Sequence, residues 1–409
     1  MLPISEAGIH STVRKLGPYP TVVSARVRQN GTMPSTLPLF LDCDPGIDDA
    51  IALAYLCCQD DVDVVGIAAS GGNVPTSQVV ENTRGWLSLA GRSDIPVHSG
   101  HSLPLARQGL QTAADEGLEY ADLTHGETGR GYARLPAPNG PVSSVSAAQA
   151  WVDAAHAHPG QLLGVVIGPA TNLALALDID PELPSLFKRL FIMGGAFNYR
   201  GNTHPTTEWN VTFDPESTSR VLSAFGDAHS SGHLRHLPVI APIEATEAVE
   251  MTPDRLTHIR DEASSAGQPW QKVVAELSEA LRFYFEFHES DGLGYIAHIH
   301  DPFVLACALA WARQNSIEST ETEPEEPNTD AQETAALTPA RGAAGELPWA
   351  TTQWAPVDVE LTGTLTRGET VADWLGRWGR PVNAEIIRTI DATAFLDHLS
   401  TTLMKGPPA

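Results

Sequence analysis

Short β-branched runs alternate with helix-period segments along most of the chain, and that alternation confines it to an α/β architecture. The runs fall at 37–43, 62–69, 95–98, 162–167, 190–193 and 239–243, with helical spacing of apolar residues at 49–59, 76–90, 147–157 and 171–177. Consecutive strands separated by a helix become parallel neighbours, because a parallel pair needs a crossover long enough to hold one. A helix after Asp301, strands at 357–361 and 384–390, and a last helix at 392–399 continue the pattern. The fold class expected is therefore α/β, a single large domain with a mostly parallel central sheet flanked by helices. In such sheets ligands collect beyond the carboxyl ends of the strands.

A chain of 409 residues is long enough for one such domain with a substantial core. Its 25 basic residues face 50 acidic ones, a formal charge of −25 that disfavours nucleic acid and anionic membranes as partners. Neutral or cationic small ligands remain. The four cysteines, Cys43, Cys57, Cys58 and Cys307, show no metal or redox spacing and read as reduced core residues. There is no apolar run long enough to cross a bilayer and no secretory leader pattern at the N-terminus, so the expected compartment is the cytoplasm.

Two segments look like additions to the domain at 36–409. Residues 1–35 carry no sustained period and read as a disordered extension, or as the product of a start codon assigned ahead of a true start at Met33. Residues 316–348 hold eight acidic residues against one arginine and almost no large apolar side chain, so they read as a flexible acidic insertion.

The first strand runs straight into Asp42-Cys43-Asp44-Pro45-Gly46-Ile47-Asp48-Asp49, four carboxylates in eight positions. Crowded carboxylates raise one another's pKa, and a fold that gathers them supplies a metal or protons. Asp48 and Asp49 open the following helix, where they would also complement its dipole, but that leaves Asp42 and Asp44 unexplained. An EF-hand loop does not fit, since Gly46 and Leu53 stand where it needs acids.

Asp42 to Ala50 resembles the N-terminal signature of the inosine–uridine nucleoside hydrolases, a family that cleaves the N-glycosidic bond of ribonucleosides with a tightly held Ca²⁺. The resemblance continues in order through Gly72-Asn73, His125-Gly126-Glu127, Gly168-Pro169-Ala170-Thr171-Asn172, Met193-Gly194-Gly195, Gly201-Asn202, Glu208-Trp209-Asn210 and His300-Asp301-Pro302. It ends in Val357 to Gly363 and Arg367-Gly368, leaving residues 1–35 and the acidic insertion outside. It implies a nucleoside hydrolase-like domain with a Rossmann-like core, a nucleoside substrate, a role in nucleoside salvage, and a homodimer or homotetramer.

The resemblance also implies roles. Asp44, Asp49, Asp301 and the main-chain carbonyl of Ile167 would hold Ca²⁺, and Asp42 would accept from a metal-bound water. Asp48, Asn73, Met193, Asn202, Glu208 and Asn210 would hold the ribose, whose oxocarbenium character in the transition state suits an anionic setting. Asp44 would take a proton from the attacking water as general base. His300 would protonate the leaving base, with a pKa already near neutrality and needing no large shift. His300-Asp301-Pro302 reads equally as an ordinary helix start.

Base recognition falls to the aromatic stretch 281–288 and its surroundings, with His125, Tyr284, His288 and His298 as candidates; Phe283, Phe285 and Phe287 would serve as well in a core. A non-catalytic calcium or ribose-binding protein on the same fold is the alternative. It has no need of the base Asp44 or the acid His300.

Overall fold

In a computed structural model the alternation becomes a twisted sheet between two helical layers. The structure describes residues 36–108, 118–139, 142–263, 266–321 and 344–408, and these belong to one compact unit, Thr36–Ala409. The strands among them are β1 (Leu37–Cys43), β2 (Val62–Ala69), β3 (Val97–Ser99), β4 (Leu162–Val166), β5 (Phe187–Met193), β6 (Val239–Ala241), β7 (Glu250–Met251), β8 (Ala297–His298), β9 (Ala344–Leu347), β10 (Ala350–Ala355), β11 (Val357–Val359), β12 (Thr370–Ala372) and β13 (Ala384–Ile390). The central sheet runs β3-β2-β1-β4-β5-β6-β13-β10-β9, parallel from β3 to β13 and antiparallel at β10 and β9. The expected mostly parallel α/β sheet is thus present.

Between β1 and β4 the chain order reverses, so the loops leaving these strands diverge and open a crevice at their carboxyl ends. β1 is buried on both faces. Leu39, Leu41 and Cys43 point into the core shared with helices Ile47–Cys57, Gln268–Ser290 and Asp301–Glu321, while Phe40 joins the core under helices Ala147–Ala157, Thr171–Ile179 and Pro215–Ser230. Helix Ile47–Cys57 has every residue buried, so Asp48 and Asp49 in its first turn lie inside the protein, away from bulk water.

Several expected boundaries move. The strand expected at 239–243 stops at Ala241, because Pro242 offers no N–H to the ladder and instead opens the short helix Ile243–Thr246. The strand expected at 357–361 is β11, which pairs only with β12 in a separate two-stranded sheet. Helix Asp301–Glu321 and strand β9 occupy the two ends of the stretch expected to be an acidic loop, and 322–343 lies outside the described residues, as does 1–35.

A buried ion pair ties the sheet where its direction changes. Arg189 on β5 meets Glu385 on β13; its Nε donates to the carbonyl of Leu237 at 3.1 Å, and the Thr352 hydroxyl donates to Glu385 Oε1 at 2.6 Å. The guanidinium also lies 4.7 Å from the Trp311 ring. Removing one member of such a pair strands the other charge in the interior. Glu385→Ala should therefore cost about 3–5 kcal/mol of unfolding free energy in urea denaturation; a loss below about 1 kcal/mol would show that the pair is not what braces this junction.

Candidate active site

Beyond the carboxyl ends of β1, β4 and β5 lies a cavity of about 480 Å³. Its lining brings together thirteen of the residues expected from sequence: Asp48, Asn73, His125, Ile167 and Met193; Asn202, Glu208 and Asn210; Tyr284, His288, His298, His300 and Asp301. Asp44 and Asp49 are fully buried beside this lining.

The acidic floor is built by two backbone segments meeting at one point. Asp49 caps its own helix: its Oδ2 accepts from Gly46 N at 3.0 Å and its Oδ1 from Asp44 N at 3.1 Å. Asp301 opens helix Asp301–Glu321, and Asp48 Oδ2 accepts from the His300 amide at 3.2 Å, which joins the two helix starts. Carboxylate oxygens of Asp48, Asp49 and Asp301 lie within 4.8 Å of one another. Asp44 Oδ2 accepts from Asn73 N at 2.7 Å, whereas its Oδ1 is buried with no hydrogen-bond partner among the described residues.

Two close backbone approaches hold Asp44. A Cβ on Gly168 would sit 2.5 Å from Asp44 Oδ1, and one on Gly72 would collide with Oδ2. Both positions therefore need glycine for space. The Ile167 carbonyl beside them accepts from Asn210 Nδ2 at 3.0 Å, leaving one of its two lone pairs.

Burial pushes these acids up. Asp48 rises from 3.8 to about 6 and Asp49 to about 7, in both cases chiefly by desolvation, with Asp48 adding to the shift of Asp49. Asp44 and Asp301 are raised well above the usual range by desolvation and then by neighbouring aspartates. An orphaned carboxylate oxygen, a cluster of carboxylates and a main-chain carbonyl form an all-oxygen donor set, which fits a hard divalent cation.

Asp42 departs from expectation. Its side chain lies on the Phe40 side of β1, where Oδ1 accepts from Ser70 Oγ at 2.5 Å and Asn172 Nδ2 at 3.2 Å, and Oδ2 accepts from Trp151 Nε1 at 3.0 Å. Asp44 lies past the strand's end at Cys43, so strand alternation does not put the two acids on one face. Asp42 is committed to tying β1 to the elements around it.

The ribose-side candidates hold one another in place. Glu208 caps helix Trp209–Phe213: Oε1 accepts from Asn210 N at 2.7 Å, and Oε2 accepts from Gly195 N at 2.9 Å and Val211 N at 3.1 Å. Burial nevertheless raises its pKa to about 7. Asn210 Nδ2 also reaches the carbonyl and Sδ of Met193, both at 3.4 Å. Asn202 Oδ1 accepts from Trp209 N at 2.9 Å, and Asn73 Nδ2 donates to the Asp44 carbonyl at 3.2 Å.

Aromatic rings line the opposite wall. Tyr284 lies 5.3 Å from the His125 ring and 4.4 Å from His288; His288 lies 4.9 Å from His298. Of the three phenylalanines, Phe287 lines the cavity and Phe285 packs into the core, with Phe283 half-buried against it. His125 Nδ1 accepts from Ile47 N at 3.1 Å, which puts its proton on Nε2. His300 Nδ1 lies 2.8 Å from Thr246 Oγ1. Burial, followed by the neighbouring histidines, pushes His300 down to about 3, so the expectation that it titrates near neutrality fails: the imidazole is neutral here.

Arg200, Glu247, Asp291 and Leu293 also line the cavity and were not anticipated. Arg200 directly precedes the Gly201-Asn202 motif, a signal that was available. It pairs with Glu247 at 3.0 Å.

Residues 39–397 match the profile of a family described as inosine-uridine preferring nucleoside hydrolase. Pyrimidine-specific ribonucleoside hydrolase RihA of Salmonella arizonae is 31% identical over 369 residues, covering 90% of this chain and 98% of the relative, and RihA of Citrobacter koseri matches to the same extent. Among solved structures, a plant nucleoside hydrolase superposes with a TM-score of 0.69 at 24% identity, over 91% of this chain and 99% of the other. An inosine-guanosine nucleoside hydrolase superposes at 0.65 with 25% identity and the same coverage.

Two outcomes follow from the floor. Gly168→Ala should weaken divalent-cation affinity by about ten- to a hundredfold in calorimetric titration; unchanged affinity would mean that Asp44 is not part of the donor set. Because Asp48 and Asp49 hold protons in the folded state that an unfolded chain has released, stability without metal is full below about pH 4 and falls as pH rises through 6 to 7. The melting-temperature gain on adding a divalent cation should therefore grow from pH 5 to pH 7.5, and a gain independent of pH would contradict this account.

Proposed function

The chain belongs to the inosine-uridine preferring nucleoside hydrolase family and is a ribonucleoside hydrolase, and from that premise we propose a Ca²⁺-dependent mechanism with Asp44 as general base and His300 as proton donor to the leaving base. Asp44, Asp49, Asp301 and the Ile167 carbonyl are the proposed ligands. The observation that carries this reading is Asp44 Oδ1, a buried carboxylate oxygen without a partner, set among other raised aspartates beside the cavity.

When bound, Ca²⁺ supplies an acidified water and an anchor for the ribose hydroxyls. The chain's own residues do the rest. Asp44 is clamped by the Asn73 amide on Oδ2, so Oδ1 stays oriented to take a proton from the attacking water. Asp48, Asn73, Met193, Asn202, Glu208 and Asn210 surround the sugar, and the carboxylates stabilise positive charge that develops only as the glycosidic bond breaks. Water attacks the ribose face opposite the base, and His300 meets the leaving base as a neutral N–H donor; the proton it passes to the base is replaced through solvent by the one that Asp44 takes from the attacking water. His125, Tyr284, His288 and His298 contact the base. The products, free base and ribose, suit a role in cytoplasmic salvage by a homodimer or homotetramer.

The relatives named pyrimidine-specific and the neighbour named for inosine and guanosine support testing both base classes. Purified protein incubated with uridine, cytidine, inosine and adenosine should release ribose from at least one; chelation should abolish release and Ca²⁺ should restore it. Ribose from none of the four would sink the proposal. Asp44→Ala should lower kcat by about a hundredfold or more, and an active Asp44→Ala enzyme would remove Asp44 as base.

A further inference from the structure

We propose that Thr246 is a positioning residue for the leaving-group step: its hydroxyl occupies Nδ1 of His300 and so fixes the ring nitrogen that presents a proton to the cavity. The inference rests on His300 being the proton donor. Thr246 ends the short helix Ile243–Thr246 that follows β6, and it is fully buried.

The hydrogen-bond accounting favours one tautomer. A neutral imidazole has one donor and one acceptor nitrogen, and a hydroxyl has a single proton to give. Thr246 Oγ1 has two acceptors in reach, His300 Nδ1 at 2.8 Å and the Pro242 carbonyl at 3.3 Å. That carbonyl already accepts the Ala245 and Thr246 amides, both at 3.1 Å. Turning the hydroxyl to Nδ1 therefore leaves no buried group unpaired, and the shorter contact gains the proton. The imidazole proton then belongs on Nε2.

The histidines around the cavity are not all assigned alike: His125, whose Nδ1 takes the Ile47 amide, also carries its proton on Nε2, while His288 carries the other tautomer. His288 Nδ1 faces the Tyr284 carbonyl at 2.9 Å, which requires the proton on Nδ1 and leaves its Nε2 an acceptor. His300 has a hydroxyl in that place. Its backbone is pinned as well: the His300 amide donates to Asp48 and the Ile299 amide to the Val249 carbonyl at 3.0 Å. With the main chain held, the Thr246 contact is what remains to orient the ring.

The test compares leaving groups. Uridine and inosine release bases that need a proton, while 4-nitrophenyl riboside releases an anion that leaves without one. Thr246→Val keeps the shape and removes the hydroxyl; it should lower kcat on the nucleosides about tenfold, as expected for one lost hydrogen bond, with KM within about twofold and aryl riboside turnover within about twofold. Thr246→Ser should restore nucleoside kcat to within about threefold of the parent. Should Thr246→Val not fold, Thr246→Ala is expected to give the same contrast. Equal loss on both substrate types, no loss on either, or no rescue by serine would overturn the inference. A parent enzyme that releases no ribose from nucleosides defeats the underlying reading instead, whereas an active parent with unchanged Thr246 variants leaves that reading standing and removes only this one.

Discussion

Electrostatic crowding at the carboxyl end of one strand and the starts of two helices sets the terms for the rest of the molecule. Two like charges about 4 Å apart repel by roughly 4 kcal/mol at an effective dielectric constant near 20, whereas a hydrogen bond to a charged group returns about 1.5–3 kcal/mol. Amides from Gly46, Asp44, Asn73 and His300 therefore soften the gathering of Asp44, Asp48, Asp49 and Asp301 without neutralising it. Protons or a cation must complete the balance. The fold concentrates this tension where β1 and β4 diverge, the place in a parallel sheet where backbone ends point at a shared crevice.

The scaffold around that point is correspondingly rigid. Asp42 anchors β1 through Ser70, Trp151 and Asn172, and Glu208 gathers three backbone amides at a helix start. Both are buried acids with raised pKa values, yet their oxygens are committed to the protein. Asp44 differs in having one oxygen uncommitted. Burial and a raised pKa thus do not by themselves separate a reactive carboxylate from a structural one; the count of donors at each oxygen does.

Much of this was legible in the chain. Strands β1, β2 and β13 and helix Ala147–Ala157 appear with the bounds their apolar patterns predicted, because burial on both faces leaves continuous β-branched runs and helical spacing is distinct. The edge strand β9 and its neighbour β10 were not anticipated, since a half-exposed strand such as Ala350–Ala355, rich in Thr and Gln, carries little apolar signal. The aspartates were conspicuous by density alone. Two site properties were invisible for a physical reason: desolvation of His300 depends on what covers it, and its contact with Thr246 spans 54 residues of sequence. Asp42, expected to accept from a metal-bound water, turns instead to Ser70, Trp151 and Asn172, partners 28, 109 and 130 positions away in the chain.

The cavity joins two halves of different construction. The floor is made of strand ends, helix starts and a main-chain carbonyl, all fixed by the sheet. The wall is made of rings on helix Gln268–Ser290 and on β8, packed at a tilt against each other. A change of ring on that helix alters the wall while the floor keeps its hydrogen bonds, so selection of the base and cleavage of the bond can vary separately. Two histidines join the halves: His125 takes the Ile47 amide of the floor helix and lies 5.3 Å from the Tyr284 ring, and the His300 amide belongs to the floor through Asp48 while its ring lies 6.3 Å from that of His298. A shift of the wall is therefore felt at the floor through these two residues, and of the two it is His300 whose ring is held from outside both halves, where the Thr246 hydroxyl stands.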